Sequence, residues 1–124
     1  MLQDNKTFSS FSVNDLQQAR DFYQDTLGIK VVEQEYMMQI HTSGGSYVLA
    51  YVKPDHTPAA FTVLNFEVEN IEKIVAGLKA KGVAFESYDL ENLKTDEDDI
   101  SRSHGMKIAW FRDPAGNILS LIES

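Results

Sequence analysis

The sequence predicts an α+β fold in which two tandem β-α-β-β-β modules form a cup-shaped mixed sheet with the helices outside. Strand-like alternation is followed by helical spacing and then by further strand-like segments, twice along the 124 residues. The segments Val13-Asn14-Asp15-Leu16 and Val68-Glu69-Asn70-Ile71 match at an offset of 55 residues, which indicates an internal duplication. Two prolines separate the halves. We therefore predict one domain over 1–124, with module one at about 7–53, a linker at 54–60 and module two at about 61–124.

Module one begins with a predicted strand, because apolar and polar residues alternate over 8–13. Asp15 and Gln18 have the spacing of a capping box, which predicts the start of a helix, and Gly28 predicts its end. Three strands are predicted to follow, at 29–35, 36–42 and 46–53. The glycine-containing segment 43–45 predicts a hairpin between the last two strands.

Module two repeats this order. Residues 63–68 alternate, Asn70 is a predicted helix N-cap, and Gly82 predicts the end of the helix. Three further strands are predicted, at 83–88, 106–111 and 118–122. Between the first two of these, residues 89–105 form a long connection with six acidic and two basic side chains. Two interpretations of this connection stay open: a lid that attracts a cationic ligand, and a solvated mobile loop.

A tight turn is predicted shortly before the last strand. In the segment Asp113-Pro114-Ala115-Gly116-Asn117, proline fixes one φ angle and Gly116 allows a positive φ. The carboxyl group of Asp113 is therefore interpreted as part of the turn and not as a catalytic acid.

Composition excludes several classes of protein. The formal charge of −8 and the pI near 4.7 oppose binding to nucleic acids and to anionic membrane surfaces. The chain has no cysteine, which excludes disulfides, cysteine-based metal sites and thiol nucleophiles. It has no apolar segment of membrane-spanning length and no signal-like N-terminus. We therefore expect a cytoplasmic protein.

Four short motifs occur in order along the chain: Val13-Asn14-Asp15-Leu16, Phe22-Tyr23, Leu27-Gly28 and the turn at 113–117. In this order and spacing they resemble the vicinal oxygen chelate superfamily, the group of glyoxalases, bleomycin-resistance proteins and extradiol dioxygenases. The resemblance covers essentially the whole chain. It implies the paired-module fold, a homodimer and, in the metalloenzymes of the group, His and Glu metal ligands on the first and fourth strands of each module.

The positions that the resemblance assigns to metal ligands carry other residues in this chain. They fall on Phe8 and Leu49 in module one, and on Val63 and Ser120 in module two. Three of these side chains have no donor atom, and a serine hydroxyl is a poor ligand without imidazole or carboxylate neighbours. The three histidines, His41, His56 and His104, are not spaced as a metal motif and are interpreted as exposed or loop residues. We therefore expect no metal and no cofactor.

The same alternation identifies a candidate ligand-binding wall. On the predicted strands, every second side chain lies on the same face of the sheet. On one face these side chains are a mixture of aromatic and polar groups, which is unusual for a packed core and typical of a pocket. The candidate ligand-binding residues are Phe8, Ser10, Tyr47, Leu49, Tyr51, Val63, Asn65, Glu67, Trp110 and Ser120. Glu67 is also the one candidate general base, on the condition that it is buried. For the aromatic side chains the alternative is a role in a subunit interface.

The sequence thus predicts a metal-independent protein that binds or sequesters a small organic molecule, cationic or aromatic, in the manner that the resemblance to bleomycin-resistance proteins implies. Two alternatives stay open. One is a glyoxalase-like lyase, isomerase or dioxygenase-related enzyme with a non-standard site. The other is a structural or partner-binding dimer whose cup is filled by its own side chains.

Overall fold

The structure, a computed structural model, describes all residues from 1 to 124, and the chain divides into two units, Met1–Thr57 and Pro58–Ser124. The first unit contains β1 (Ser9–Val13), α1 (Leu16–Asp21), β2 (Val31–Glu33), β3 (Met37–His41) and β4 (Tyr47–Val52). Its four strands form one sheet in the order β1-β4-β3-β2. The pair β1/β4 is parallel, and the other two pairs are antiparallel.

Local signals start and end the first helix as predicted. The Asp15 carboxylate accepts a hydrogen bond from the Gln18 backbone N–H at 3.0 Å, which satisfies one of the free donors of the first turn. Beyond Asp21 the helix continues as one π-helical turn, Phe22–Thr26, in which the Leu27 N–H donates to the Phe22 carbonyl at 2.9 Å. Gly28 follows with φ 72°, the left-handed conformation that ends helices.

The two faces of the first sheet differ in polarity. Strand residues of one parity are buried with Ala19 and Tyr23 of the helical segment, and they are Phe11, Val13, Met38, Ile40 and Ala50. These buried residues lie side by side on neighbouring strands, since Ala50 is paired with both Phe11 and Met38. Residues of the other parity therefore lie on the opposite face, where none of them is fully buried.

The second unit contains the strands β5 (Thr62–Glu67), β6 (Asp89–Leu90), β7 (Leu93–Lys94), β8 (Ser101–Ser103), β9 (Met106–Arg112) and β10 (Ile118–Glu123), and the helix α2 (Ile71–Ala80). Its main sheet has the order β5-β10-β9-β8, with β5 parallel to β10. Strands β6 and β7 form a separate hairpin. The predicted α+β fold with two β-α-β-β-β units is confirmed. Neither helix has the length and apolar character needed to cross a membrane.

Two predictions for the second unit are wrong. Residues 83–88 do not form a strand of their own: they contribute one bridge, Phe85 to Phe111, and the Glu86 N–H donates to the Trp110 carbonyl at 2.8 Å. The outer edge of β9 is paired mainly with β8, whose register joins Ser101 to Ile108. The segment 89–105, predicted as one long connection, contains the short strands β6, β7 and β8.

The acidic segment between α2 and β9 is held in place by its own turn. The Asp96 carboxylate accepts hydrogen bonds from the backbone N–H groups of Asp98 and Ile100, at 2.9 and 3.0 Å. Ile100 is 1% exposed, so its side chain belongs to the core. Asp99 forms an ion pair with Lys79 at 3.0 Å, so part of the negative charge of this segment is balanced within the chain.

A cluster of charged side chains joins α2 to the sheet of the second unit. The Glu72 carboxylate accepts from Lys107 Nζ and Arg102 Nη1, each at 3.0 Å. Glu123 in β10 accepts from the Ile71 backbone N–H at 2.9 Å and so caps the helix from outside. The hydrogen bond from Lys107, a backbone hydrogen bond and the hydrogen bond from Arg102 lower the pKa of Glu72 to about 2.

We expect this cluster to make stability depend on pH in the acid range. The Glu72 pKa is lower in the folded chain than its usual value of 4.5, so its contribution is complete above about pH 4.5 and is lost as pH falls towards about 2. The Glu72→Gln variant should show a shallower fall in the free energy of unfolding over that range, measured by urea denaturation. The control is Lys73→Gln, an exposed residue of the same helix that is outside the cluster. Equal pH profiles for Glu72→Gln and the unsubstituted chain would contradict the expectation.

Candidate functional site

One face of the first sheet carries the aromatic and polar side chains predicted for a binding wall. Leu49 is paired with Ser10 on one side and with Gln39 on the other. Tyr47 is paired with His41, and Tyr51 with Ser12 and Met37. These residues have the parity opposite to that of the buried core, and the α1 segment packs its buried residues with the core face. The predicted wall residues of this unit therefore share one face.

Three rings form a row along this face. Phe8 stacks on Tyr47 with ring centroids 5.1 Å apart and an interplanar angle of 27°. His41 lies on the other strand next to Tyr47, with centroids 6.1 Å apart, and its Nε2 is hydrogen bonded to Gln39 Oε1 at 3.0 Å. We call Phe8, Tyr47 and His41 the aromatic row. Phe8 is 56% exposed, so a large apolar ring of the row is accessible to a ligand.

A cavity of about 580 Å³ lies at the end of the aromatic row. Its walls are the segment before β1 and the hairpin between β3 and β4, and its lining residues are Lys6, Thr7, Phe8, Gly44, Gly45, Ser46 and Tyr47. The hairpin contains a short 3₁₀ turn, Ser43–Gly45, in which Gly44 and Gly45 have φ values of 84° and 80°. A Cβ atom at either glycine would meet nothing within 4 Å, so the space beside the hairpin is open.

The histidines differ from the prediction that they are exposed or loop residues. His41 is a half-buried strand residue, and that interpretation is wrong for it. His56 follows β4, is half-buried, and has its Nδ1 2.6 Å from Ser12 Oγ, a hydrogen bond that ties the turn to β1. His104 is exposed and has φ 55°, as expected of a turn residue.

The second unit contains the other half of the predicted wall residues. Ser120 is paired with Asn65 and with Trp110, and its hydroxyl donates to Asn65 Oδ1. Trp110 meets Tyr88 edge to face, with centroids 5.4 Å apart. Val63 is half-buried and lies beside an irregularity in the β5/β10 register. The sequence did not single out Tyr88, because it was assigned to a separate strand.

Glu67 was the one candidate for general-base chemistry. It is the last residue of β5, and its side chain is exposed. Burial was the condition of that hypothesis, and the structure does not meet it.

Comparison with known proteins assigns the family. A model of the Glyoxalase/Bleomycin resistance protein/Dioxygenase superfamily matches residues 8–121. The chain belongs to this superfamily. No curated protein sequence gives a significant match.

Solved structures of the superfamily share the fold of this chain. A glyoxalase family protein from Enterococcus faecalis is 22% identical with a TM-score of 0.70, and the alignment covers 99% of this chain and 100% of that one. TnmS3, an antibiotic binding protein from Streptomyces sp. CB03234, is 21% identical with a TM-score of 0.66 and 98% coverage of both chains. Lactoylglutathione lyase from Agrobacterium tumefaciens is 18% identical with a TM-score of 0.69, covering 98% of this chain and 94% of that one. At these identities the likeness concerns the fold.

The side chains at the positions that the resemblance assigns to metal ligands do not fit a metal site. Phe8 and Leu49 offer hydrocarbon only, as does Val63 in the second unit. The Ser120 hydroxyl is hydrogen bonded to Asn65. No group of three or more His, Asp or Glu side chains in the structure is arranged to hold a metal ion. The donor set therefore does not match an imidazole and carboxylate chelate.

The structure adds several residues to the predicted site. In the first unit these are Lys6, Thr7, Ser12, Gln39, His41, Gly44, Gly45 and Ser46. The parity rule could have found Gln39 and His41, because they alternate with the buried Met38 and Ile40 along β3. The hairpin and the segment before β1 contain no such alternation, so sequence reasoning had no signal for them.

Proposed function

We propose that this protein binds a small planar organic molecule without a metal ion, with the ligand's ring system stacked on the aromatic row. The observation that supports the proposal most directly is the Phe8/Tyr47 stack, with one ring 56% exposed, at the edge of a cavity of about 580 Å³. Cavities that hold small ligands commonly have volumes of about 300 to 1,000 Å³ and combine aromatic walls with a few polar groups.

The chemistry of the lining suits an aromatic ligand better than a purely aliphatic one. Rings in offset stacks gain about 0.5–1.5 kcal/mol beyond the burial of their area. The hydroxyl groups of Thr7 and Ser46 add polar contacts at the cavity wall. The net charge of −8 favours encounter with cationic molecules at low ionic strength, whereas the stacking surface accepts a planar ring of any charge.

The residues at the assigned metal-ligand positions are Phe8, Leu49, Val63 and Ser120. Their lack of imidazole and carboxylate groups supports a binding function over the metal-dependent reactions of other superfamily members. Among the similar folds, TnmS3 is described as an antibiotic binding protein, which is consistent with a binding function on this fold. We further propose that the protein acts as a cytoplasmic homodimer. Sedimentation or light scattering at micromolar concentration tests the dimer independently of the ligand.

The Phe8→Ala variant is expected to bind planar aromatic probes about tenfold more weakly, because it removes the most exposed ring of the aromatic row. A naphthalenemethanol titration followed by backbone amide shifts in NMR spectra gives both the affinity and the place of binding. The control is Phe61→Ala, which removes another exposed ring (68%) that lies outside the cavity lining.

Binding should be unchanged in the presence of EDTA, since none of the lining side chains chelates a metal. Shifts that appear only after zinc, nickel, iron or manganese is added would contradict a metal-independent function. If the probe shifts no amides of the cavity lining, the proposed function is wrong and the structural or partner-binding alternative is favoured.

A further inference from the structure

We propose that the cavity at the end of the aromatic row selects planar aromatic molecules that carry an anionic group, such as an aromatic carboxylate. This inference rests on the proposed function and narrows its ligand class. It reverses the expectation, drawn from the net charge, that the ligand is cationic. The reason lies in the charge and the hydrogen-bond donors of the seven lining residues.

The cavity lining has a single charged side chain, and it is a cation. Lys6 lines the wall, whereas none of the other six residues is an aspartate or glutamate. Charges separated by more than about 8 Å are largely screened at physiological ionic strength. Because no carboxylate is among the lining residues, the Lys6 side chain is the charged group of the wall that a ligand in the cavity meets.

The second wall of the cavity is the glycine turn of the hairpin. Gly44 has φ 84° and ψ 14°, and Gly45 follows with φ 80°, so the chain makes a tight turn, and both glycines line the cavity. The turn is closed by a 3.0 Å hydrogen bond from the Thr42 N–H to the Ser46 carbonyl. Successive backbone N–H groups in such turns form concavities that attract anions.

The absence of side chains on the turn makes this wall accessible. An added Cβ atom at Gly44 or Gly45 would contact nothing within 4 Å, so no neighbouring side chain covers the turn on that side. Thr7 and Ser46 also line the cavity, and their hydroxyl groups are donors that a carboxylate can use. A ligand whose ring stacks on Phe8 and Tyr47 thus has its charged substituent beside donors and one cation.

The test compares three probes of one shape: naphthoate, naphthalenemethanol and naphthylmethylammonium, which are anionic, neutral and cationic. Each is titrated into the full chain, and amide shifts of residues 6–8 and 44–47 report binding at the cavity. We expect naphthoate to bind most tightly. The Lys6→Glu variant should lower the ratio of naphthoate affinity to naphthylmethylammonium affinity by about tenfold, and added salt should reduce this change.

Lys73→Glu is the matched control, because it makes the same charge change at an exposed lysine outside the cavity and should leave the ratio nearly unchanged. If the three probes bind at the cavity with equal affinity, or if the cation binds best, the anion inference is overturned and the proposed binding function stands. If Lys6→Glu and Lys73→Glu change the ratio equally, the selectivity comes from net charge and the inference is also overturned. If no probe shifts the cavity amides, both proposals fail.

Discussion

The Asp113→Ala variant is expected to lose about 3–5 kcal/mol of its free energy of unfolding. Asp113 is 4% exposed, and its carboxylate accepts three hydrogen bonds, each of 2.9 or 3.0 Å. The donors are the Ala115 N–H, the Asn117 N–H and the Asn117 side-chain amide. Asn117 is itself 2% exposed, so after the substitution its two donors would be buried without this acceptor. Urea denaturation at neutral pH measures the loss.

Two further variants separate this explanation from a general effect of removing a carboxylate. Asp113→Asn keeps an acceptor oxygen at the turn and should lose less than Asp113→Ala. Asp89→Ala removes an exposed carboxylate in β6 and should change stability by less than about 0.5 kcal/mol. A loss below about 1 kcal/mol for Asp113→Ala would show that water replaces the carboxylate in the turn.

The Asp113 turn illustrates how far local sequence predicts this structure. Gly116 adopts φ 86° and its N–H donates to the Asp113 carbonyl at 2.9 Å, as the Pro and Gly positions predicted. The helix N-caps at Asp15 and Asn70 are likewise confirmed, with hydrogen bonds of 3.0 and 3.2 Å. In each case the determining interaction spans four residues or fewer, so it is present in the local pattern.

Predictions that depended on distant partners were less successful. Residues 83–88 alternate like a strand, yet the edge of β9 that they approach is mostly paired with Ser101–Ser103. Alternation indicates which face of a sheet a side chain occupies. It does not indicate which of two segments pairs with the edge of a given strand. The composition of 89–105 likewise predicted an acidic loop. It did not indicate that the Ile100 side chain is buried in the core.

The candidate site also has one part that the local sequence predicts and one part that depends on distant segments. The shared face of Tyr47, Leu49 and Tyr51 follows from parity along one strand and could be predicted. The cavity beside Phe8 depends on the path of the β3/β4 hairpin and of the chain before β1. Composition did not indicate that the one charged side chain of the cavity lining is a lysine, because net charge does not report which groups surround one cavity.

The Tyr23→Ala variant is expected to lose about 3–5 kcal/mol of its free energy of unfolding, because it removes one of the largest fully buried side chains. The Tyr23 ring lies 6.0 Å from the Phe11 ring and 5.3 Å from the Phe22 ring, between the helical segment and β1. Tyr23→Leu fills part of the same space and should lose less. The control Tyr36→Ala truncates a ring that is 67% exposed and should cost less than about 0.5 kcal/mol. Equal losses for Tyr23→Ala and Tyr36→Ala, measured by urea denaturation, would mean that the π-helical turn repacks and that Tyr23 is not required to fix the helix against the sheet.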